Sequence, residues 1–260
     1  MELVKSRDAV KTGMPQEGLF VLVGDPKSGK TSLAAGAPGA YVLELEPGGA
    51  DRVAGRIHEV ANLADFREAL KLAVTTVGIK SIVIDTLDML SDWIEDEIAH
   101  AVGMSNITDR KKGVDGFEVW GEYRRKMEGL VGYLKASGKL CILIAHCKEP
   151  KLDANGLYAT PKGMNIPGKT GPFIAGQADL IGYTFKRLVG AANEYCVTFQ
   201  GGPLGIWGSR VDELNDKTLV VPKVGPWNAL LSVFGPESRV QTPAAPPAAK
   251  SNKKAAATAA

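Results

Sequence analysis

The stretch GDPKSGKT, residues 24–31, sets two glycines, a lysine and a hydroxyl at the spacing G-x-x-x-x-G-K-[ST]. It follows the apolar run LFVLVG (19–24) and opens a helical segment, KTSLAAGA. In that context the glycines let the backbone curl until its N–H groups surround phosphate oxygens, and the helix start adds partial positive charge. Lys30 is placed to reach the β- and γ-phosphates of ATP, and Thr31 to hold Mg²⁺. Contacts to the nucleotide are expected from Gly24, Asp25, Pro26, Lys27, Ser28, Gly29, Lys30, Thr31 and Ser32, with Lys30 also serving the chemistry. A plain glycine turn ahead of a helix is the bland alternative.

Two further stretches offer carboxylates. SIVIDT (81–86) runs through four apolar residues to Asp85, which places an acid at a strand's carboxyl end, where α/β folds bind ligands. There it can hold the magnesium, directly or through water. Its alternative role is to cap the helix starting near Leu87, a task Thr86 could perform equally well. YVLELEPGG (41–49) ends a strand with Glu44 and Glu46 before Pro-Gly-Gly breaks it. Their equal parity lets both face one side of a sheet. Glu46, nearer the tip, is the expected residue to orient water on the γ-phosphate, against a reading as an exposed turn residue. A fourth stretch, LCILIAHCKEP (140–150), turns from apolar to polar at His146, one of three histidines in the chain.

The elements that must position these residues follow from periodicity. LFVLVG, YVLELE, SIVIDT and LCILIA are compact Val/Ile/Leu runs without sustained alternation, as expected of parallel strands covered on both faces. Helical spacing links Leu63, Phe66, Leu70 and Val74, then Leu87, Leu90, Ile94 and Ile98. A longer helix is marked by Phe117, Trp120, Met127, Leu130, Val131 and Leu134. Strand–helix–strand repetition predicts a doubly wound α/β domain with a mainly parallel sheet and helices on both faces. DLIGYTFKR and EYCVTFQ predict a C-terminal antiparallel extension. The expected organisation is an N-terminal extension (1–17), one domain (18–235) and a Pro/Ala/Lys-rich disordered tail (236–260).

Composition narrows the classes further. The net charge is +2 in 260 residues, so any nucleic-acid surface must be local. Cys141, Cys147 and Cys196 form an odd set without CxxC spacing, which argues against a disulfide framework or a zinc site and for a reducing cytoplasm, a host's if the chain is viral. The first residues lack an apolar signal core, and no apolar run is long enough to cross a bilayer.

Taken in order, GDPKSGKT, YVLELEPGGAD, SIVIDTLDML, EYRRKMEGLVGYLKASGKLCILIAH and GQADLIGYTFKR resemble the RecA-type recombinase core, in particular short phage-type RecA-like ATPases associated with single-strand annealing. The resemblance spans about residues 18–187. It implies that the strand 140–145 lies between the P-loop strand and the strand of Asp85, which brings His146 near the γ-phosphate. RecA itself has glutamine at that place. An imidazole there could bond phosphate or the attacking water, and would find different partners in ATP and ADP. The alternative is a core histidine satisfied by backbone.

By the same resemblance, two loops would bind single-stranded DNA. The segment 147–171 offers Lys148, Lys151, Lys162 and Lys169, with Tyr158 as a stacking ring; the segment 103–116 offers Arg110, Lys111 and Lys112. Glu149, Asp153, Asp109 and Asp115 dilute both, and merely solvated loops are the alternative. RecA-type sites are completed by a basic residue from a neighbouring subunit, so a homo-oligomer, ring or filament, is implied. Arg210 and Lys217 are the residues available for that role, with surface charge the plainer reading. The tail is a segment that could dock a single-strand-binding protein. Two other functions remain open at this point: a P-loop kinase of a small molecule, and a non-hydrolysing ATP-gated scaffold or loader.

Overall fold

The computed structural model describes residues 13–151, 154–155, 162–202 and 205–234. Its strands are β1 (Gly18–Gly24), β2 (Ala40–Glu44), β3 (Arg56–Glu59), β4 (Ser81–Asp85), β5 (Leu140–Lys148), β6 (Gly163–Met164), β7 (Leu180–Val189), β8 (Ala192–Thr198), β9 (Gly208–Ser209) and β10 (Thr218–Val220). Its helices are α1 (Lys30–Ala35), α2 (Leu63–Thr75), α3 (Leu87–Ala101), α4 (Gly116–Ala136), α5 (Thr170–Gln177) and α6 (Asn228–Leu231).

The sheet runs β10-β8-β7-β1-β5-β4-β2-β3, parallel from β7 through β3, with β8 and β10 added antiparallel. The fold is thus α/β with a mainly parallel sheet and an antiparallel C-terminal extension. β5 lies between β1 and β4, the order the RecA resemblance implied. No helix among the described residues is long and apolar enough to cross a membrane.

Successive side chains on a strand point to opposite faces, and the two cores of the protein divide along that parity. Leu19, Val21 and Val23 of β1 join Cys141, Leu143 and Ala145 of β5 and Ile82 and Ile84 of β4 in the core beneath α2, α3, α4 and α5. Phe20, Leu22, Ile142, Ile144, Val42 and Val83 join Leu33 of α1 and Leu230 of α6 in the other. Burial on both faces explains why these strands read as unbroken apolar runs. Each buried Val, Leu, Ile or Phe adds about 1.5–3 kcal/mol of transfer free energy. The same parity carried to the strand tips assigns Glu44, Asp85 and His146 to the α1 face.

Four local readings need correction. β2 ends at Glu44, so Glu46 lies beyond the ladder and strand parity does not govern it. β5 does not stop before His146; it continues to Lys148 because Cys147 and Lys148 pair with Met164 and Gly163 of β6. Phe117 is 91% exposed. The buried stripe of α4 is Val119, Tyr123, Met127, Val131 and Leu134, a run of mostly four-residue steps that Phe117 falls off. β3, a four-residue edge strand with two exposed charged ends, carried no apolar signal.

Candidate nucleotide-binding site

β1 delivers Gly24 against β7. A Cβ there would stand 2.2 Å from Thr184 Oγ1 and 2.5 Å from the Thr184 carbonyl oxygen, so only glycine fits. The loop then turns through Lys27 (φ 62°) and Gly29 (φ 91°), both left-handed. It is tied down by a buried bond between Ser28 Oγ and Thr184 Oγ1, 2.7 Å. Ser28 therefore contributes to the loop through its side chain's anchorage to β7, a role the sequence did not announce. Tyr183, the preceding residue on β7, donates from its hydroxyl to Asp25 Oδ2 at 3.3 Å. Asp25, Pro26, Lys27 and Ser32 are exposed, and Gly29 and Thr31 are half-buried.

Lys30 is 6% exposed and donates from Nζ to the carbonyl oxygens of Gly24 (3.0 Å) and Asp25 (2.9 Å). Burial holds its ammonium below the ordinary lysine range, and the charges of Asp85, Asp88, Asp25 and Glu46 oppose that shift. Thr31 Oγ1 donates to Asp85 Oδ2 at 2.6 Å. Asp85 is 5% exposed, and burial pushes its carboxyl up to about 6 against the opposing effects of Thr31 and Lys30. A hydroxyl and a carboxylate this close, the latter short of positive charge, fit a magnesium ion that keeps waters and takes its other ligands from phosphates. Thr86, not Asp85, caps α3, accepting from Met89 N at 3.5 Å.

The two glutamates separate cleanly. Glu44 is buried and its Oε1 accepts from Ala50 N at 2.6 Å, which shapes the turn after β2. Glu46 is exposed and within electrostatic reach of both Lys30 and Asp85. Of the pair, it is the exposed one, and its charge acts on both residues of the phosphate and magnesium positions.

His146 stands in register with Gly24, the first residue of the phosphate loop. Its half-buried ring places Nδ1 3.5 Å from Asp88 Oδ2, and its backbone N–H donates to that same oxygen at 2.8 Å. Asp88 is 9% exposed; its Oδ1 is buried and has no hydrogen-bond partner among the described residues. Burial raises its carboxyl above the ordinary range, opposed by the His146 N–H and by the charges of His146 and Lys30. Sequence reasoning missed Asp88 by taking DTLD only as a capping pattern. The available signal was position: an acid in the first turn of a helix that leaves a ligand-binding strand tip must lie on the crevice.

The basic loops fare unevenly. Arg110 and Lys112 are exposed. Lys111 instead donates to the carbonyl oxygens of Val102 (2.8 Å) and Gly103 (3.1 Å), closing the carboxyl end of α3. A DNA phosphate would have to compete with those two bonds for the Lys111 ammonium. Lys148, Lys151 and Lys169 are exposed, while Lys162 lies 3.7 Å from Glu149 Oε2 and 6.0 Å from the centre of the Tyr183 ring. Tyr183 stacks on Trp207 at 4.4 Å. Tyr158 lies outside the described residues, as does the tail from 236. Arg210 pairs with Asp179 Oδ1 (3.3 Å) and donates to the Gly176 carbonyl (2.8 Å).

A family model described as an AAA domain matches residues 18–211. No curated protein matches the chain. Among solved structures, the flagellar accessory protein FlaH from Methanocaldococcus jannaschii is similar at 14% identity and a TM-score of 0.38, over 80% of this chain and 87% of that one.

Proposed function

The chain belongs to the AAA domain family, a P-loop NTPase fold, and on that premise we propose that it hydrolyses Mg-ATP and binds single-stranded DNA, promoting annealing or strand pairing in recombination as a homo-oligomer. In this reading Lys30 leaves the carbonyls of Gly24 and Asp25 for the β- and γ-phosphates, since charge–phosphate bonds are stronger than those to neutral carbonyls. Thr31 and Asp85 hold the magnesium, which neutralises developing phosphate charge when bound. Glu46 orients the attacking water. A basic residue from a neighbouring copy completes the site, and the tail offers a docking segment for a single-strand-binding protein.

One observation carries the coupling to DNA. The loop between Lys148 and Gly163 is bolted at its base beside His146: Cys147 pairs with Met164, Lys148 with Gly163, and Asn165 N donates to the His146 carbonyl at 3.0 Å. Any displacement of His146 at the phosphate end is transmitted to both ends of a loop that carries Lys148, Lys151 and Lys162. Phosphate contacts by such lysines would bind any sequence, and the affinity would fall steeply with salt.

Filter binding of labelled single strands, with and without ATP, tests the reading together with ATPase assays. ATP should raise retention, single strands should raise turnover, and Lys30→Ala should abolish both effects. Retention indifferent to ATP, with turnover indifferent to DNA, would refute the DNA assignment while leaving the ATPase standing.

A further inference from the structure

We propose that Asp88 is a positioning residue for His146: its carboxylate holds the imidazole in the Nδ1–H form, which makes Nε2 an acceptor for the attacking water instead of a donor to phosphate. The inference rests on the ATP-hydrolysis reading and deepens it, because that reading leaves the partner of the ring undecided.

The placement begins with the end of β4. The β4–β5 ladder stops at Asp85↔Ile144, so the next part of β5 has lost its neighbour on that side. α3 fills the place. Its first turn brings Asp88 alongside, and Asp88 Oδ2 takes the His146 N–H at 2.8 Å, where a longer β4 would have offered a carbonyl. A backbone carbonyl would have been enough to satisfy that N–H. The carboxylate does more, because its Oδ2 also lies 3.5 Å from Nδ1, and its second oxygen, Oδ1, is buried without a hydrogen-bond partner among the described residues. An unsatisfied buried acceptor costs about 1–3 kcal/mol. With its proton on Nδ1 the ring can donate to Oδ2 after a small rotation that closes the 3.5 Å gap; such bonds commonly tighten only when the site is engaged.

The consequence is chemical. A neutral imidazole carries one N–H and one lone pair. With the proton on Nδ1 facing Asp88, the lone pair sits on Nε2, on the far side of the ring. Phosphate oxygens carry only lone pairs, so an Nε2 acceptor has no bond to make with them. Water can donate to it. The water's two O–H groups then go to Glu46 and to Nε2, which leaves an oxygen lone pair directed at phosphorus. This is the orienting logic of a carboxylate behind a histidine.

The chain has three histidines, so long-range ¹⁵N NMR of the full-length protein at pH 8.5 resolves each ring, with His146 assigned by His146→Gln. His58, whose Nε2 lies 3.2 Å from Asp65 Oδ1, supplies an internal reference of the opposite form. We expect His146 as Nδ1–H in the wild type. Asp88→Asn keeps an oxygen at the Oδ2 place for the backbone N–H but removes the charge that draws the ring proton to Nδ1, so it should shift the ring toward the Nε2–H form. Its kcat should fall by at least about tenfold with KM for ATP within about twofold. A wild-type ring protonated on Nε2 while turnover is normal overturns the dyad, and that spectrum needs no variant to fold. Unchanged kcat in a folded Asp88→Asn protein overturns it too. A wild type without turnover would instead overturn the hydrolysis reading itself.

Discussion

Replacing Asp85 by asparagine should make the protein more stable while removing its magnesium-dependent activity. The carboxyl is buried and pushed up from 3.8 to about 6. A raised folded value means the charged form is the one folding disfavours. The stability linked to this group is fully present below 3.8 and is lost as pH rises through about 6. At about 1.4 kcal/mol per pKa unit the loss approaches roughly 3 kcal/mol above neutrality, with the attraction of Lys30 already included in the shift. Asparagine is the right probe because its amide oxygen can still accept the Thr31 hydroxyl, now at 2.6 Å. Urea unfolding in magnesium-free buffer should therefore show Asp85→Asn more stable than wild type at pH 8, with the gap closing as the pH falls toward 4. A variant that is less stable at pH 8, or a gap that does not change with pH, would refute the reasoning.

Three further outcomes follow from single contacts. Ser28→Ala and Thr184→Val should each cost about 1 kcal/mol, with a coupling of similar size in the double-mutant cycle by thermal unfolding, because they share one buried 2.7 Å bond. Glu46→Gln should abolish turnover and keep ATP binding, whereas Glu44→Gln should lower the melting temperature through its weakened bond to Ala50 N; steady-state kinetics and calorimetry separate the two. Lys111→Ala should lower stability by about 0.5–1 kcal/mol and leave the salt slope of DNA binding unchanged, while Arg110→Ala with Lys112→Ala should weaken DNA retention and flatten that slope.

What could be read from the residues was whatever two-sided burial writes into them. The four central strands were legible because Val, Ile and Leu fill both faces, and the phosphate loop because Gly24 and Gly29 answer steric demands no other residue meets. Strand ends were not, since there pairing is decided by distant partners. β5 runs on past His146 only because β6 returns beside it, and β2 stops at Glu44 because the following turn recruits that carboxylate. Lys111 looked like a phosphate contact because its use by α3 depends on a chain reversal with no local signature. Asp88 was hidden for a related reason: its partner is 58 residues away.

The proposed coupling between nucleotide and DNA asks little of the structure energetically. A tenfold change in DNA affinity between ATP and ADP states needs a coupling of only about 1.4 kcal/mol. One hydrogen bond involving a charged group contributes about 1.5–3 kcal/mol, so a bond network around His146 that exists with one nucleotide and not the other is large enough by itself. The backbone gives it little freedom to leak away: the His146 N–H is held by Asp88, its carbonyl by Asn165, and its neighbours by β6. Bonds gained or lost at the ring therefore act on a strand end that is tied both to the crevice and to the base of the loop. The same geometry bounds the size of the effect. One residue making or losing one bond cannot supply the thousandfold switching that a large domain rotation could, so a nucleotide effect on DNA affinity above about a hundredfold would require contacts from a neighbouring copy.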